Sequence, residues 1–536
     1  MSLINQKNFN LVIYIFTKIW DGLSKKRKIQ VLGLSLISVL SGLSEMLTLA
    51  SLVPFLSVIT DPDRFWNINF VKKTSFKFNI ENANDLLPYV TIIFIITVIC
   101  ASIIRLINLW LNINLSASIG TDFSCKVYEK VLQKDYLFHI NNPSSKTISI
   151  LNTKVSALVV VVNKYLQGFT AIIICLSIFT SLIFIDKSIA FSIFGIFSLI
   201  YCIIAVVLKK KLRRFSKIIA LSNERLIKYI QEGLGAIREI ILEGNQNLYL
   251  SSFRESDYSV RQGYAKNTFY SLFPRYLLES IGIILISTMA FFLTRGDGPR
   301  LSTITFLGTL ALGIQRILPA IQLTYTSWTE INGYSKSLLD IFEILDSKDN
   351  NIDISETYPL SKFKKLEFRN VSFKYSKDSK YILRNISFSI NEGEKIAIIG
   401  TTGSGKSTLI DLIMGLLHPT EGEIYLNGEK MNNLNNKVLI GWRKSISHVP
   451  QNIFLTNGTI EENISFGIPK TFYTLEDIKH AAKNACIYDF INELPKRYQS
   501  YVGERGAKIS GGQLQRIGIA RAIFKRKKIL ILDEAT

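Results

Sequence analysis

A chain of 536 residues is long enough for more than one domain. Hydrophobic residues make up 48% and charged residues 20%, which excludes both a disordered chain and an ordinary soluble domain. The formal net charge of +21 could serve nucleic acid, an acidic membrane surface or membrane topology. The basic runs Lys25-Lys26-Arg27-Lys28 and Lys209-Lys210-Lys211-Leu212-Arg213-Arg214 lie beside long apolar stretches, which favours positive-inside anchoring. With no helix-turn-helix, zinc-finger or RNP pattern, no nucleic-acid partner is expected. The cysteines Cys100, Cys125, Cys175, Cys202 and Cys486 have neither metal nor redox spacing, and three lie in apolar runs. The scattered histidines suggest no metal cluster, and the N-terminus shows no cleaved signal peptide.

In chain order, Asn10 to Gly22 is apolar and aromatic but too short to span a bilayer. It predicts an interfacial helix, so that residues 1–28 form that helix and a basic anchor. Residues 29–340 predict an all-α domain of six membrane helices. The spans are about Ile29–Ile59, Leu86–Ile113, Gly168–Ile185, Ile189–Leu208, Tyr276–Leu293 and Ile304–Leu323, against the ~20 apolar residues a bilayer requires. Asp186-Lys187-Ser188 and the stretch Arg295 to Arg300 are the short turns. The basic N-terminus and the long basic connections 114–167 and 209–275 place that side in the cytoplasm. Unstructured loops of that length are improbable, and both connections carry helical periodicity. They are expected to extend the membrane helices and to reverse near Phe138–Ser145 and Gly244–Ser252.

Glu45, Arg105, Glu279 and Arg316 fall inside spans, where a charge is costly and faces a cavity or a partner. For each, substrate contact and a structural pair both stand open; for Arg316, so does a side chain snorkelling to the interface. Pro54 and Pro319 interrupt helical hydrogen bonding and are candidate kinks.

Residues 341–365, with Ser347-Lys348-Asp349-Asn350-Asn351, predict a linker, and 366–536 an α/β domain. Strands are expected over Leu366–Phe373, Ile386–Ile390 and Lys395–Ile399, the last buried. Next comes Gly400-Thr401-Thr402-Gly403-Ser404-Gly405-Lys406-Ser407-Thr408, and then a helix from Leu409. This is a P-loop in its strand–loop–helix setting. Glycines let backbone N–H groups wrap a phosphate chain at a helix N-terminus. Lys406 is placed for the β/γ-phosphates of ATP and Ser407 for Mg²⁺. The run Ile529-Leu530-Ile531-Leu532 ends in Asp533 and Glu534, one carboxylate to hold the metal and one to orient or deprotonate water.

Val449-Pro450-Gln451, Val502-Gly503-Glu504-Arg505-Gly506 and Ile509-Ser510-Gly511-Gly512-Gln513 lie between these motifs, in that order. Together they resemble the ATP-binding cassette (ABC) transporters, of the exporter half-transporter type, and the resemblance covers nearly the whole chain. It implies the type I ABC exporter fold: a six-helix transmembrane domain followed by a P-loop nucleotide-binding domain.

By that resemblance Gly400 to Thr408 is the Walker A motif, and Tyr375 stacks on adenine. Gln451 is the Q-loop glutamine, serving metal and catalysis. Ser510, Gly511, Gly512 and Gln513 form the signature motif, after Ile509 where the family usually has Leu. Asp533 is a metal ligand and Glu534 the catalytic carboxylate. Val502 to Gly506 resembles the X-loop, and the two helix reversals would be coupling helices.

The resemblance further implies a second half-transporter chain, most simply in a homodimer, because each ATP is closed over by the other chain's signature. It implies a multi-pass protein of the bacterial plasma (inner) membrane, with the N-terminus and nucleotide-binding domain cytoplasmic. The stretches Gly42–Met46, Tyr136–Asn141, Gln231–Ile240 and Gln315–Pro319 look like bacterial flippases of lipid-linked oligosaccharides. That implies a lipid-linked substrate and makes Arg316 a candidate pyrophosphate contact. A multidrug, peptide or lipid A exporter stays open, as does a non-hydrolysing membrane fragment or regulatory subunit. The family continues past Asp533-Glu534-Ala535-Thr536 with a D-loop and a switch histidine, so a truncated record is expected, and ATPase activity is expected of a chain that carries both.

Overall fold

The structure, a computed structural model, describes residues 10–60, 62–68, 71–72, 85–185, 187–294, 300–347, 358–360, 362–431 and 436–534. Asp186 of the expected hairpin, the Arg295–Pro299 turn, the linker stretch Lys348–Asn351 and Ala535–Thr536 lie outside them. The chain divides into two compact units: Met1–Leu132 with Asn142–Ser347, and Gln133–Asn141 with Lys348–Thr536.

The first unit is helical. It contains α1 (Asn10–Gly22), α2 (Lys25–Thr60), α3 (Leu86–Leu132), α4 (Val155–Ile185), α5 (Lys187–Gly235), α6 (Gln246–Thr294), α7 (Arg300–Gly333) and α8 (Ser335–Leu345). Among the described residues, four helical stretches are long and apolar enough to cross a membrane: Lys25–Thr60, Leu86–Leu132, Ser144–Phe184 and Gln246–Thr288. Helices α5 and α7 run unbroken through the other two expected spans, and Pro54 and Pro319 sit inside continuous helices. Ile92, Ile96, Ile103 and Trp110 of α3 are exposed. Such a surface is stable where the solvent is hydrocarbon and each helix satisfies its own backbone.

Between the helices, Ile178, Phe197, Leu278 and Ile317 are fully buried in one cluster. Polar side chains join the helices as well. Ser38 and Thr170 share a hydrogen bond of 2.8 Å, and Asn108 donates to Ser38 at 3.2 Å. Buried polar pairs of this kind hold helices together where lipid removes the hydrophobic drive.

Helix α1 is more than an interfacial strip. Ile15 and Ile19 are buried with Phe123, Leu158 and Leu338, while Ile13, Tyr14 and Phe16 stay exposed. The Tyr165 hydroxyl donates to the Val12 carbonyl at 2.6 Å, and Lys18 pairs with Asp346 at 2.6 Å. A π turn at Ile150–Lys154 leads into α4 and carries Lys154, 3% exposed and paired with Asp340 of α8 at 2.5 Å. The chain reverses between Leu132 and Ser144, and again at Gly244, whose φ of +69° ends the short helix Ile237–Glu243.

The second unit has two sheets. Strands β1 (Lys365–Phe373), β2 (Leu383–Asn391), β3 (Glu421–Leu426) and β4 (Glu429–Lys430) form an antiparallel sheet of order β2-β1-β3-β4. Its inward face buries Leu366, Phe368 and Ile424 against Leu412 of α9 (Lys406–Ile413) and Trp442 of α10 (Asn436–Lys444). Strands β5 (Ile446–Val449) and β6 (Ile529–Leu532) pair in parallel. A second core packs Ile464, Ile478 and Ile491 against Ile517 of α11 (Gly511–Phe524). The segment Gln133–Asn141 belongs with this unit, and Leu137 packs on its sheet core.

The strand expected over Lys395–Ile399 is a correction. These residues join no ladder, and Ile396, Ile398 and Ile399 are 48%, 37% and 92% exposed. Apolar composition asks for burial, but a strand exists only where a neighbour pairs its backbone. Among the described residues β6 pairs with β5, and no strand lies against 395–399. The following helix begins at Lys406, a turn earlier than expected, because Gly405 supplies the left-handed entry.

Three positions of this unit give direct tests. Gly422 has φ +79°, and a Cβ there would lie 2.2 Å from the Asn370 carbonyl oxygen, which the β1 bulge pushes towards it. Gly428 has φ +92° with nothing within 4 Å. Gly422→Ala should therefore cost well over about 2 kcal/mol and Gly428→Ala about 1–2, read as falls in the thermal midpoint of the purified protein. Asp411 of α9 has its carboxyl pushed up to about 6 by burial, helped by the Asp533 carboxylate. A carboxyl raised above its unfolded value near 3.8 loses stability as pH climbs through about 6. Asp411→Asn should thus stabilise the nucleotide-free protein by about 1–2 kcal/mol at pH 7.5, after discounting for solvent. The gain should vanish near pH 4.

Candidate functional site

The P-loop is built from two glycines and an uncapped helix start. Gly403 and Gly405 have φ of +81° and +94°, conformations that side-chain-bearing residues rarely adopt. A Cβ at Gly405 would also press to 2.9 Å from Leu383. As the N-cap of α9, Gly405 brings no side-chain acceptor to the first turn. The helix thus begins with backbone donors and a partial positive charge, a setting that favours an anion. The Lys406 ammonium donates to the carbonyls of Gly400 at 2.9 Å and Thr401 at 3.1 Å, closing the loop on itself. Thr401, Thr402, Gly403, Ser404 and Ser407 are exposed, whereas Thr408 is buried.

Tyr375, just beyond β1, meets this loop. Its hydroxyl is 3.1 Å from the Thr408 hydroxyl, and its ring sits edge-on to Phe373 at 5.0 Å. The aromatic face expected to stack on adenine is therefore held in place from two sides.

The parallel register of β5 and β6 brings a second group together. Val449 lies opposite Leu532, and Asp533 N–H donates to the Val449 carbonyl at 3.0 Å. Two residues past each strand end, Gln451 and Glu534 are neighbours, and the Gln451 amide donates to the Glu534 carboxylate. Glu534 takes the left-handed φ of +49°, which turns the chain immediately after Asp533. An amide and two carboxylates at one sheet end can hold a divalent cation and position a water.

The signature residues form a third group. Ser510 caps α11: Gln513 N–H donates to its hydroxyl at 3.4 Å, and Ser510 N–H donates to the Gln513 side-chain oxygen at 2.9 Å. A Cβ at Gly511 or Gly512 would meet nothing within 4 Å, so this helix start is open to a ligand. The capping role of Gln513 went unread in the sequence, although Ser-x-x-Gln ahead of a helix is its signal. Asp411 was also missed. It stands one turn after Ser407 on the P-loop helix, close enough to Asp533 for the two carboxylates to repel. Among the described residues no hydrogen bond joins Ser510–Gln513 to the P-loop.

Comparison with known proteins follows the same lines. The ABC transporter transmembrane region family matches residues 29–305, just over half of the chain, and the ABC transporter family matches residues 383–536. YgaD of Bacillus subtilis (strain 168), named as a multidrug export ATP-binding/permease protein, is 29% identical over 430 residues. That match spans 77% of this chain and 71% of the relative. An ATP-dependent lipid A-core flippase of Desulfotalea psychrophila is 31% identical over 438 residues, 78% of this chain and 72% of the flippase. The solved structure of a bacterial Atm1-family ABC exporter with ATP bound superposes with a TM-score of 0.75. It covers 95% of this chain and 86% of that one, and at 19% identity the likeness speaks to the fold alone. A helical membrane unit of the type I exporter fold, followed by an ATP-binding unit with its P-loop in place, makes this chain a member of the ABC transporters, an exporter of the half-transporter kind.

Proposed function

We propose that this chain is half of a homodimeric ATPase that exports or flips a lipid-linked oligosaccharide, or a related lipid, across the bacterial inner membrane. The observation that carries the ATPase reading is the pairing of Gln451 with Glu534 beside Asp533, at the end of the only parallel strand pair among the described residues. In that reading Tyr375 stacks on the adenine, and backbone donors of Gly400 to Thr408 wrap the phosphates. Lys406 exchanges its two loop carbonyls for phosphate oxygens. Ser407, Gln451 and Asp533 are the groups that would hold Mg²⁺, which neutralises phosphate charge when bound. Glu534, freed from Gln451, accepts the proton of the attacking water or orients it.

A Cβ at Gly511 or Gly512 would meet nothing within 4 Å, an open helix start that supports the signature's closing over ATP held by a second copy. A twofold dimer then carries two equivalent sites. Gln133–Asn141, grouped with the nucleotide-binding unit, suits a segment that passes the closing motion to the membrane helices. ATP binding would shift the dimer towards the closed form through its greater affinity for that form.

For the substrate, a relative named as an ATP-dependent lipid A-core flippase supports a lipid, be it the related lipid of the first reading or the lipid A of the second. The relative named for multidrug export favours the second reading, a drug, peptide or lipid A exporter.

Two outcomes check the proposal. Glu534→Gln should lower ATP turnover by about a hundredfold or more while leaving ATP binding intact, and Lys406→Ala should weaken both; full turnover in the Glu534 variant would remove that carboxylate from its role. In reconstituted membranes, polyprenyl-diphosphate glycans should stimulate ATP turnover. Stimulation by drugs or peptides with no response to those glycans would decide for the second reading.

A further inference from the structure

A cavity of about 400 Å³ lies in the second unit, walled by the short helix Ile460–Ile464, the turn Lys470–Phe472, the helix Leu475–Asn484 and the turn Arg497–Gln499. Small-molecule sites span roughly 300–1,000 Å³, so its size suits a small ligand. None of its lining residues belongs to the motifs expected to bind ATP.

Glu461 is the one acid in the lining, and it is 5% exposed. Its carboxylate is already engaged. Oε1 accepts from the Tyr473 hydroxyl at 3.3 Å and pairs with the Lys470 ammonium at 3.3 Å, while Oε2 accepts from the Gln499 amide at 2.6 Å. These contacts tie three wall segments together and leave the acid little to offer a cation.

The open charges are positive. Lys470, Lys479, Lys496 and Arg497 line the cavity, four cations to one acid. Lys479 has a partner in Glu476 at 2.6 Å, and Lys470 has Glu461. The side chains of Lys496 and Arg497 are exposed and have no acidic partner among the described residues. The lining also holds a donor without an acceptor. Tyr498 is 5% exposed, and its hydroxyl is buried with no hydrogen-bond partner. Burial, with Tyr488 and Glu476 nearby, pushes that hydroxyl up to about 12, so it keeps its proton. A buried hydroxyl left unanswered is costly.

We propose that this cavity is a second ligand site of the nucleotide-binding unit, and that it takes a small phosphorylated molecule. The Arg497 fork matches phosphate oxygens in pairs, the lysines meet them as point charges, and the Tyr498 hydroxyl supplies a neutral donor. Tyr473 and Leu475 offer apolar surface to the body of the ligand. A concave site of this size favours a small molecule over an extended acidic chain. The inference does not depend on which molecule the membrane unit moves.

The test titrates fructose bisphosphate, inorganic phosphate and fructose into the full chain in nanodiscs, with the P-loop saturated by Mg²⁺–ADP. Fructose bisphosphate should bind and raise the thermal midpoint, inorganic phosphate should bind at least about tenfold more weakly, and fructose should not bind. Lys496→Gln and Arg497→Gln should each weaken the bisphosphate by about tenfold or more, the scale of a lost charged hydrogen bond. Arg497→Lys, which keeps the charge and loses the fork, should fall between wild type and Arg497→Gln. Lys362→Gln, at an exposed position outside the cavity, should change nothing. Tyr498→Phe should weaken binding several-fold yet leave the ligand-free thermal midpoint no lower, because the hydroxyl it removes has no partner.

No binding of the bisphosphate at millimolar concentration would overturn the inference, and so would binding that ignores both Lys496 and Arg497. Inorganic phosphate binding as tightly as the bisphosphate would overturn the assignment to a phosphorylated molecule and leave an adventitious ion only. Full affinity in Tyr498→Phe, or a lower ligand-free midpoint, would remove that hydroxyl from the site.

Discussion

An anion-seeking helix start governs the second unit. Helix α9 opens at Lys406 behind a glycine with no side chain to cap it, and among the described residues its lysine donates to two loop carbonyls. Backbone donors left without acceptors at a helix end are costly unless water or a ligand satisfies them. A phosphate chain answers the donors, the dipole and the ammonium together. The other parts are arranged around that need. Tyr375 is braced by Thr408 and Phe373, and β5 and β6 carry an amide and two carboxylates to one sheet end.

The membrane unit meets the same physics in a different solvent. Its helices satisfy their own backbones and turn isoleucine outward, and their polar side chains pair inside. The exception is the cluster of Glu45, Arg105 and Arg316, where charges of both signs are gathered in unequal number. In the cassette the family match makes ATP the partner of the P-loop donors.

Local pattern carried the expectations for the nucleotide site. The P-loop and the paired carboxylates are short motifs whose expected chemistry follows from residue type and spacing, whereas the roles expected of Gln451 and the signature stretch rest on the resemblance to the ABC transporters. Their neighbourhood was less readable, because it depends on partners far away in sequence. Lys395–Ile399 has the composition of a buried strand, yet its backbone finds no ladder and Ile399 is 92% exposed. Gln513 was read for its ligand and not for the cap it makes on Ser510. Glu45 was legible as a charge in need of a partner. That its partners are Arg105 and Arg316, on two other helices, could come only from the packing. Helix α1 likewise looked like a strip for the membrane surface, and the packing shows Ile15 and Ile19 inside the helical unit.

Direct transport decides the central claim, that ATP use in this chain moves a lipid-linked substrate from one leaflet to the other. The protein would be reconstituted into vesicles containing a fluorescent polyprenyl-diphosphate glycan, and the fraction reachable by an impermeant quencher followed after ATP is added. The account predicts an ATP-dependent change in that fraction, absent with a non-hydrolysable analogue. ATP hydrolysed at full rate with the glycan distribution unchanged would contradict it.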